Sequence, residues 1–294
     1  MSPGLLALKG HGTENDFIVL PDLDAVLSLS PSLVRALCDR HRGIGADGVL
    51  RVVRTALATE PDVRAQAEVA EYFMDYHNAD GSIAEMCGNG VRVFGRYLLE
   101  AGLITGATRV ATRGGPKALA FDGTDITVTM GRAVQRSETP TVSVTGLSGE
   151  RYGGAGFGGA GFSGIAFDLP NPHVVVELDS VPQLVGLDLS TPPTVRPALP
   201  EGQNVEFFVR TEPGRIRLRV HERGVGETRS CGTGICAAVV AASQTEPEVT
   251  RWQVDVPGGR CEVWWSAAGE VMLSGPAVLV ATVQLSESWL AEHR

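Results

Sequence analysis

The sequence predicts a mixed α+β protein made of two structurally equivalent halves. Its 294 residues suggest two domains at roughly 150 residues per domain. Hydrophobic residues make up 43% and charged residues 20%, enough apolar material to bury a core in each half. The decisive observation is internal. His77-x9-Cys87-Gly88-Asn89-Gly90 returns as His221-x9-Cys231-Gly232-Thr233-Gly234, a shift of 144 residues. The same shift carries Gly114-Gly115 onto Gly258-Gly259 and Gly131 onto Gly275, the mark of a duplicated unit.

The elements follow in order. Leu5–Leu8 and Phe17–Leu20 read as the arms of an opening strand pair around a glycine-rich bend. Ser30-Pro31 caps a helix over Ser32–Arg40, with proline in its first turn. Val49–Val53 is a strand, and Val69–Tyr76 and Arg215–His221 are strands that deliver the chain to the repeated motifs. Each CGxG is followed by an apolar stretch of helical character, Val91–Glu100 and Ile235–Ala242. Further strands follow each, such as Ile126–Met130 and Glu262–Trp265, rich in β-branched and aromatic residues. Tyr152–Gly164, with seven glycines, reads as a hairpin tip rather than a ligand-cradling loop.

Composition excludes several functions. A net charge of −9 disfavours general nucleic-acid or membrane-surface binding. The longest apolar runs, Ile235–Ala242 and Ala277–Val283, fall short of a membrane span. The first ten residues lack the basic start of a signal peptide. Five cysteines, at 38, 87, 231, 236 and 261, form no C-x-x-C pair. That argues against a disulfide framework or a zinc site and for a reducing cytoplasm, where thiols act as thiols. Cys38, Cys236 and Cys261 lie in apolar patterns and read as core residues.

GIGADG, residues 43–48, matches the dinucleotide fingerprint in the wrong context. It follows a helix and precedes a strand, so it reads as a turn. The two CGxG motifs carry the chemistry. A cysteine at a helix N-terminus meets unsatisfied N–H groups and the positive end of the helix dipole. That setting can bring a thiol pKa from about 8.5 into the 3.5–7.5 range. The glycines let a ligand reach the backbone and leave N–H groups free for a carboxylate. Two such thiols suit a symmetric reaction, in which one removes a proton from a carbon and the other returns one to the opposite face. A pyridoxal Schiff base would need a lysine, and the only two are Lys9 and Lys117, neither in a persuasive setting.

Other polar residues have two readings each. His173 either exchanges protons with a thiol or is a turn residue after Leu169-Pro170. Glu222-Arg223 recognises the charged ends of an amino acid or forms a surface ion pair. Asn15, Asn78 and Asn204 bind ligand or cap turns.

The chain resembles the diaminopimelate epimerase family. Six blocks carry the likeness nearly end to end: GHGTENDF (10–17), RHRGIGADGV (40–49), NADGSIAEMCGNG (78–90), NPH (171–173), Gln203-Asn204-Val205 and HERGVGETRSCGTG (221–234). The resemblance implies two pseudo-symmetric lobes, each a β-sheet or barrel wrapped around a central α-helix. It implies lobe boundaries at 1–131 plus 277–294 and at 132–276, with the active site in the cleft between them. It implies a cytoplasmic isomerase that interconverts LL- and meso-diaminopimelate without cofactor or metal, as a homodimer with no nucleic-acid or membrane partner. Cys87 and Cys231 match the catalytic thiols, and His173 and Glu222 the polar residues beside them. Gly88, Asn89, Gly232 and Thr233 match the helix ends that hold the reacting carboxylate. Asn15, Asn78, Asn171, Asn204, Glu222 and Arg223 match substrate-recognition positions.

Two departures stand out. Gly48 takes the place of a substrate-proximal glutamine found in some members, so that contact is lost or replaced by water. The insert Tyr152–Gly164 exceeds the usual hairpin. The competing readings are a related two-thiol racemase for proline, hydroxyproline or histidine, a non-catalytic amino-acid-binding module, and a Cys–His hydrolase.

Overall fold

The computed structural model describes residues 5–144 and 160–293. They form two compact units, Met1–Thr129 with Gly275–Arg294, and Met130–Ser274. The first unit runs β1 (Leu6–Gly12), β2 (Asn15–Pro21), α1 (Pro31–Cys38), β3 (Gly48–Arg54), the single turn α2 (Pro61–Arg64), β4 (Tyr72–Asn78), α3 (Gly88–Glu100), β5 (Thr108–Ala111), β6 (Lys117–Asp122) and β7 (Asp125–Gly131). The second begins with β8 (Val134–Gln135), β9 (Thr141–Val144), β10 (Ala160–Ser163), β11 (Ile165–Leu169), β12 (Asn171–Glu177), α4 (Val181–Gly186) and β13 (Thr194–Arg196). It continues through β14 (Asn204–Glu212), β15 (Arg215–Glu222), β16 (Gly226–Thr228), α5 (Gly232–Ser243), β17 (Arg251–Val256), β18 (Gly259–Trp265) and β19 (Val271–Pro276). The chain then returns to the first unit as β20 (Val278–Gln284) and α6 (Glu287–His293).

The duplication is one of topology. In the first unit the strands lie in the order β20-β1-β2-β3-β4-β5-β6-β7. In the second they lie as β8-β11-β12-β14-β15-β17-β18-β19. In both, the third strand is parallel to the fourth and the fifth to the sixth, and every other pair is antiparallel. A parallel pair needs a long crossover. The crossover from β4 to β5 is α3, and that from β15 to β17 is α5. Helix α3 packs on β1, β2, β3, β4 and β20, and α5 on β11, β12, β14, β15, β17 and β18. Each sheet therefore wraps its own crossover helix. A third, smaller sheet, β10-β9-β13, joins the second unit.

Both helices start three residues before their apolar stretches, so Cys87 and Cys231 are the N-caps themselves. α5, GTGICAAVVAAS, is buried on almost every side; its small side chains let the sheet close around it. α1 matches its predicted start, with Ser30 accepting from the Leu33 amide, but stops at Cys38 rather than Arg40. The Gly43, Ile44 and Gly45 amides take the carbonyls of Asp39 and Leu37, turning the chain away. GIGADG is a turn into β3, as its context predicted. The β1–β2 bend is made by Thr13 and Glu14, at φ 50° and 61°, and not by the glycines beside them. β4 begins at Tyr72 rather than Val69, because Val69 ends a 3-10 turn. Of the glycine-rich segment, residues 160–163 form β10, and 152–159 lie outside the described residues.

One charge cluster anchors β4. Buried Asp75 contacts Arg113 at 2.6 Å, His77 at 3.0 Å and Arg51 at 3.2 Å. Burial works to raise its pKa, but hydrogen bonds from His77 and Arg113 and their charges hold it down at about 2. Stability from this carboxylate is full above the ordinary value of about 3.9 and is lost as pH falls through about 2. Asp75→Ala should cost about 3 kcal/mol at pH 7, the scale of a broken buried pair. Urea unfolding should show the gap from the parent narrowing between pH 4 and pH 2; a constant gap would mean that the ionised carboxylate is not the source.

Candidate active site

In the first unit the Cys87 sulfur accepts the Gly90 amide at 3.4 Å, satisfying one free N–H of α3. The sulfur also lies 3.8 Å from Asn15 Oδ1 as donor. Asn15, 7% exposed, sits at the first position of β2. Its carbonyl accepts Asn89 Nδ2 at 3.1 Å, and its NH2 donates to Asp47 Oδ2 at 2.7 Å. Asn89 in turn accepts the guanidinium of Arg92 at 2.6 Å, and both are fully buried. Gly88, Asn89 and Gly90 form the buried first turn of α3.

Asp47 and Asp16 share Arg40, which donates to them at 2.8 Å and 2.7 Å. Burial and the neighbouring Asp16 charge raise the Asp47 carboxyl. Burial also works to raise Asp16, but the hydrogen bonds from Arg40 and Lys9 outweigh it and lower its pKa. Lys9 is thereby bound to Asp16 and to the Gly45 carbonyl.

In the second unit Cys231 is 6% exposed. Its sulfur lies 3.4 Å from Thr233 Oγ1 and 3.8 Å from Asn204 Nδ2. Asn204 presents its NH2 because its carbonyl is taken by the Arg223 backbone amide at 2.9 Å. Burial pushes the Cys231 thiol well up, and the charges of Glu222 and Glu206 add to the rise; the Thr233 hydroxyl and the Gly234 amide act against it. Gly232 and Thr233 are buried in the first turn of α5.

His173 lies in β12, beyond the bend at Pro170, so the turn reading fails for it. Its ring is fully buried, with Nδ1 2.7 Å from Glu206 Oε1 and Nε2 3.0 Å from Asn171 Oδ1. Glu206 is itself fully buried, and its second oxygen, Oε2, has no hydrogen-bond partner among the described residues. It crowds the entrance of α5: a Cβ on Gly234 would come within 2.5 Å of Glu206 Oε1, so only glycine fits there. Glu222 takes the Thr228 hydroxyl, and Arg223 reaches the Glu201 carbonyl.

Hydrogen bonds thus link Asn15 and Asn89 to Cys87 in one unit, and Asn204, Thr233 and Arg223 to Cys231 in the other. Asn78 stands outside both sets; its amide closes a turn onto Ser82 at 3.0 Å. At Gly48 a Cβ would meet the His77 carbonyl at 2.6 Å and the Tyr76 ring at 2.7 Å, so the backbone there has no room for a side chain. Sequence reasoning missed Asp47, Arg92 and Glu206. Arg92 and Glu206 were visible as lone charges inside apolar runs, VRVF and NVEFFV. Cys38, Cys236 and Cys261 are buried, and burial pushes Cys38 up to about 12. No group of three His, Cys, Asp or Glu among the described residues could hold a metal ion.

The fold and the paired thiol-capped helices define a class. Solved structures with this architecture include a hydroxyproline epimerase from Agrobacterium vitis, with a TM-score of 0.63 at 14% identity, covering 97% of this chain and 93% of that one. A phenazine biosynthesis protein of the PhzF family from Bacillus anthracis aligns with a TM-score of 0.63 at 14% identity, over 96% and 99%. At such identities these show the fold alone.

Sequence comparison goes further. The family model for diaminopimelate epimerase matches residues 7–135 and 165–280. The chain is 47% identical to the diaminopimelate epimerase of Streptomyces coelicolor, over 99% of this chain and 98% of that one. It is 49% identical to that of Thermobifida fusca, over 93% and 95%. The chain belongs to the diaminopimelate epimerase family.

Proposed function

We infer that this protein is an isomerase that epimerises diaminopimelate, converting the LL isomer to meso and back, a step of lysine biosynthesis that also supplies a peptidoglycan precursor. The observation that carries the reading is the duplicated thiol N-cap, in a chain 44–49% identical to three diaminopimelate epimerases over nearly its whole length.

In the proposed mechanism Cys87 and Cys231 address opposite faces of one α-carbon. One sulfur, as thiolate, removes the α-proton; the other, as thiol, gives its proton to the opposite face. The carbon is inverted and the two sulfurs exchange roles, so the reverse reaction uses the same groups. An α-proton beside a carboxylate is very weakly acidic, so the charge that develops there needs preorganised donors. The first-turn amides at Gly88, Asn89, Gly232 and Thr233 fill that role, each worth on the order of 3 kcal/mol if it acts as an oxyanion-hole donor does. His173 and Glu222 set the electrostatics of the thiols. Asn15, Asn78, Asn171, Asn204, Glu222 and Arg223 recognise the substrate, several of them at its distant L-centre.

No pyridoxal cofactor or metal takes part in this scheme. Five free cysteines fit a reducing cytoplasm, and no helix among the described residues is long and apolar enough to cross a membrane. The protein is further proposed to be a homodimer, which light scattering would read as twice 31.0 kDa.

Proton NMR of LL-diaminopimelate with reduced protein in D2O, without pyridoxal phosphate, tests the function. The α-proton signal should fall as the meso isomer appears, and proline should stay unchanged. Cys87→Ala and Cys231→Ala should each abolish epimerisation and leave the circular-dichroism spectrum intact. Full activity in either variant would exclude the two-thiol scheme, and turnover of proline alone would move the substrate assignment.

A further inference from the structure

The turn motif GIGADG acquires a role from the neighbours of Asp47. The path Arg92–Asn89–Asn15–Asp47 is a row of hydrogen bonds with a fixed direction. A guanidinium only donates, so Arg92 Nη2, 2.6 Å from Asn89, must face the amide oxygen. That turns Asn89 Nδ2 toward Asn15, whose oxygen accepts it at 3.1 Å. At the other end an ionised carboxylate only accepts. Asp47 Oδ2 takes the Asn15 NH2 at 2.7 Å and the Asp16 amide at 3.1 Å, and Arg40 holds Asp47 Oδ1 at 2.8 Å. The Asn15 amide is pinned from both sides, and the end left facing the Cys87 sulfur is its carbonyl.

We propose that Asp47 is a positioning residue for Cys87: by anchoring the Asn15 NH2, while Asn89 holds the oxygen, it keeps the Asn15 carbonyl on the sulfur and holds Cys87 as the protonated thiol. A carbonyl oxygen stabilises S–H, which donates to it, and repels a thiolate; a reversed amide would present an N–H and do the opposite. The device offsets the helix N-terminus, which favours the thiolate. It thus gives a mobile proton to a sulfur that already accepts the Gly90 amide. Charged groups linked to this sulfur among the described residues include Asp47, with Asp16, Lys9 and Arg40, behind Asn15, and Arg92 behind Asn89. Phe17 and Leu50 line the Gly90 side, and Tyr76 meets Phe17 edge-on at 6.0 Å. At Cys231 the corresponding amide, Asn204, is turned the other way by the Arg223 backbone. The inference gains its catalytic meaning from the reading of Cys87 as a proton carrier.

The test is the pH dependence of Cys87 alkylation by iodoacetamide, read by peptide mass spectrometry in the reduced full-length protein. It needs no turnover, so failure to epimerise diaminopimelate would count against the function and leave this measurement standing. Asp47→Ala should lower the Cys87 midpoint by about one pH unit. In the Asn15→Ala background the same substitution should leave the midpoint in place, since Asp47 then has no amide to turn. An equal shift in both backgrounds would make Asp47 a bare charge and overturn the proposal, as would no shift in either. If Asp47→Ala fails to fold, Asp47→Asn serves. Its single oxygen must answer three donors, and the midpoint should fall by a smaller amount only while Asn15 is present; a shift that ignores Asn15, or none, overturns the proposal.

Discussion

The first amides of a helix have no acceptor within it, and in each unit the parallel strand pair spanned by a crossover helix delivers a cysteine to that point. β4 and β5 can pair in parallel only if the chain crosses the sheet between them, and α3 makes that crossing. The same holds for β15, β17 and α5. The sheets wrap the helices because the helices are the crossovers. The sulfurs stand at the helix entrances because the chain leaves each strand there.

Equivalent backbones carry unequal surroundings. Cys87 is partly exposed, faces an amide carbonyl and caps its helix through the Gly90 amide. Cys231 is buried, faces an amide NH2 and lies in the field of Glu222 and Glu206, which together with burial raises its pKa. A reversible proton transfer between two thiols needs one proton shared between two sites, and it works best when the surroundings balance rather than match. At Cys87 the helix end is opposed by a carbonyl; at Cys231 burial and two carboxylates are opposed by an amide NH2, a hydroxyl and a backbone amide. Different residues serve the same compromise in the two halves.

The repeat was legible because CGNG and CGTG recur with matched histidines and glycines at one fixed offset, and each cysteine caps the crossover helix of its unit. The strands that lead to the motifs, β4 and β15, were legible as the segments that end at His77 and His221, the former buried on both faces and the latter largely alternating. The partners of Arg92 and Glu206 were not, since a lone charge in an apolar run states that something pairs with it without naming the partner, and Asp47 lay unmarked in a turn. Pairing across 32 residues, as between Asn15 and Asp47, is a property of sheet register. The β1–β2 bend shows the limit in reverse. Glycines flanked it, but Thr13 and Glu14 took the left-handed positions, because a two-residue turn between paired strands needs them wherever the register places it. Gly48 was visible as a departure, but the close approach of His77 and Tyr76 that leaves no room for a Cβ there belongs to the packing.

The proposed reaction uses two proton carriers rather than one. Isotope position at early conversion separates these. LL-diaminopimelate is turned over in D2O and quenched early, and the two isomers are separated and weighed by mass spectrometry. A thiol that has exchanged with solvent delivers deuterium to the inverted carbon, while a thiolate that took the original proton hands it back on reversal. The two-carrier scheme gives meso product carrying one deuterium and an LL pool that keeps its protium. Protium retained in the meso product, or deuterium entering the LL pool as fast as the meso, would mean that a single group carries the proton across, and would contradict it.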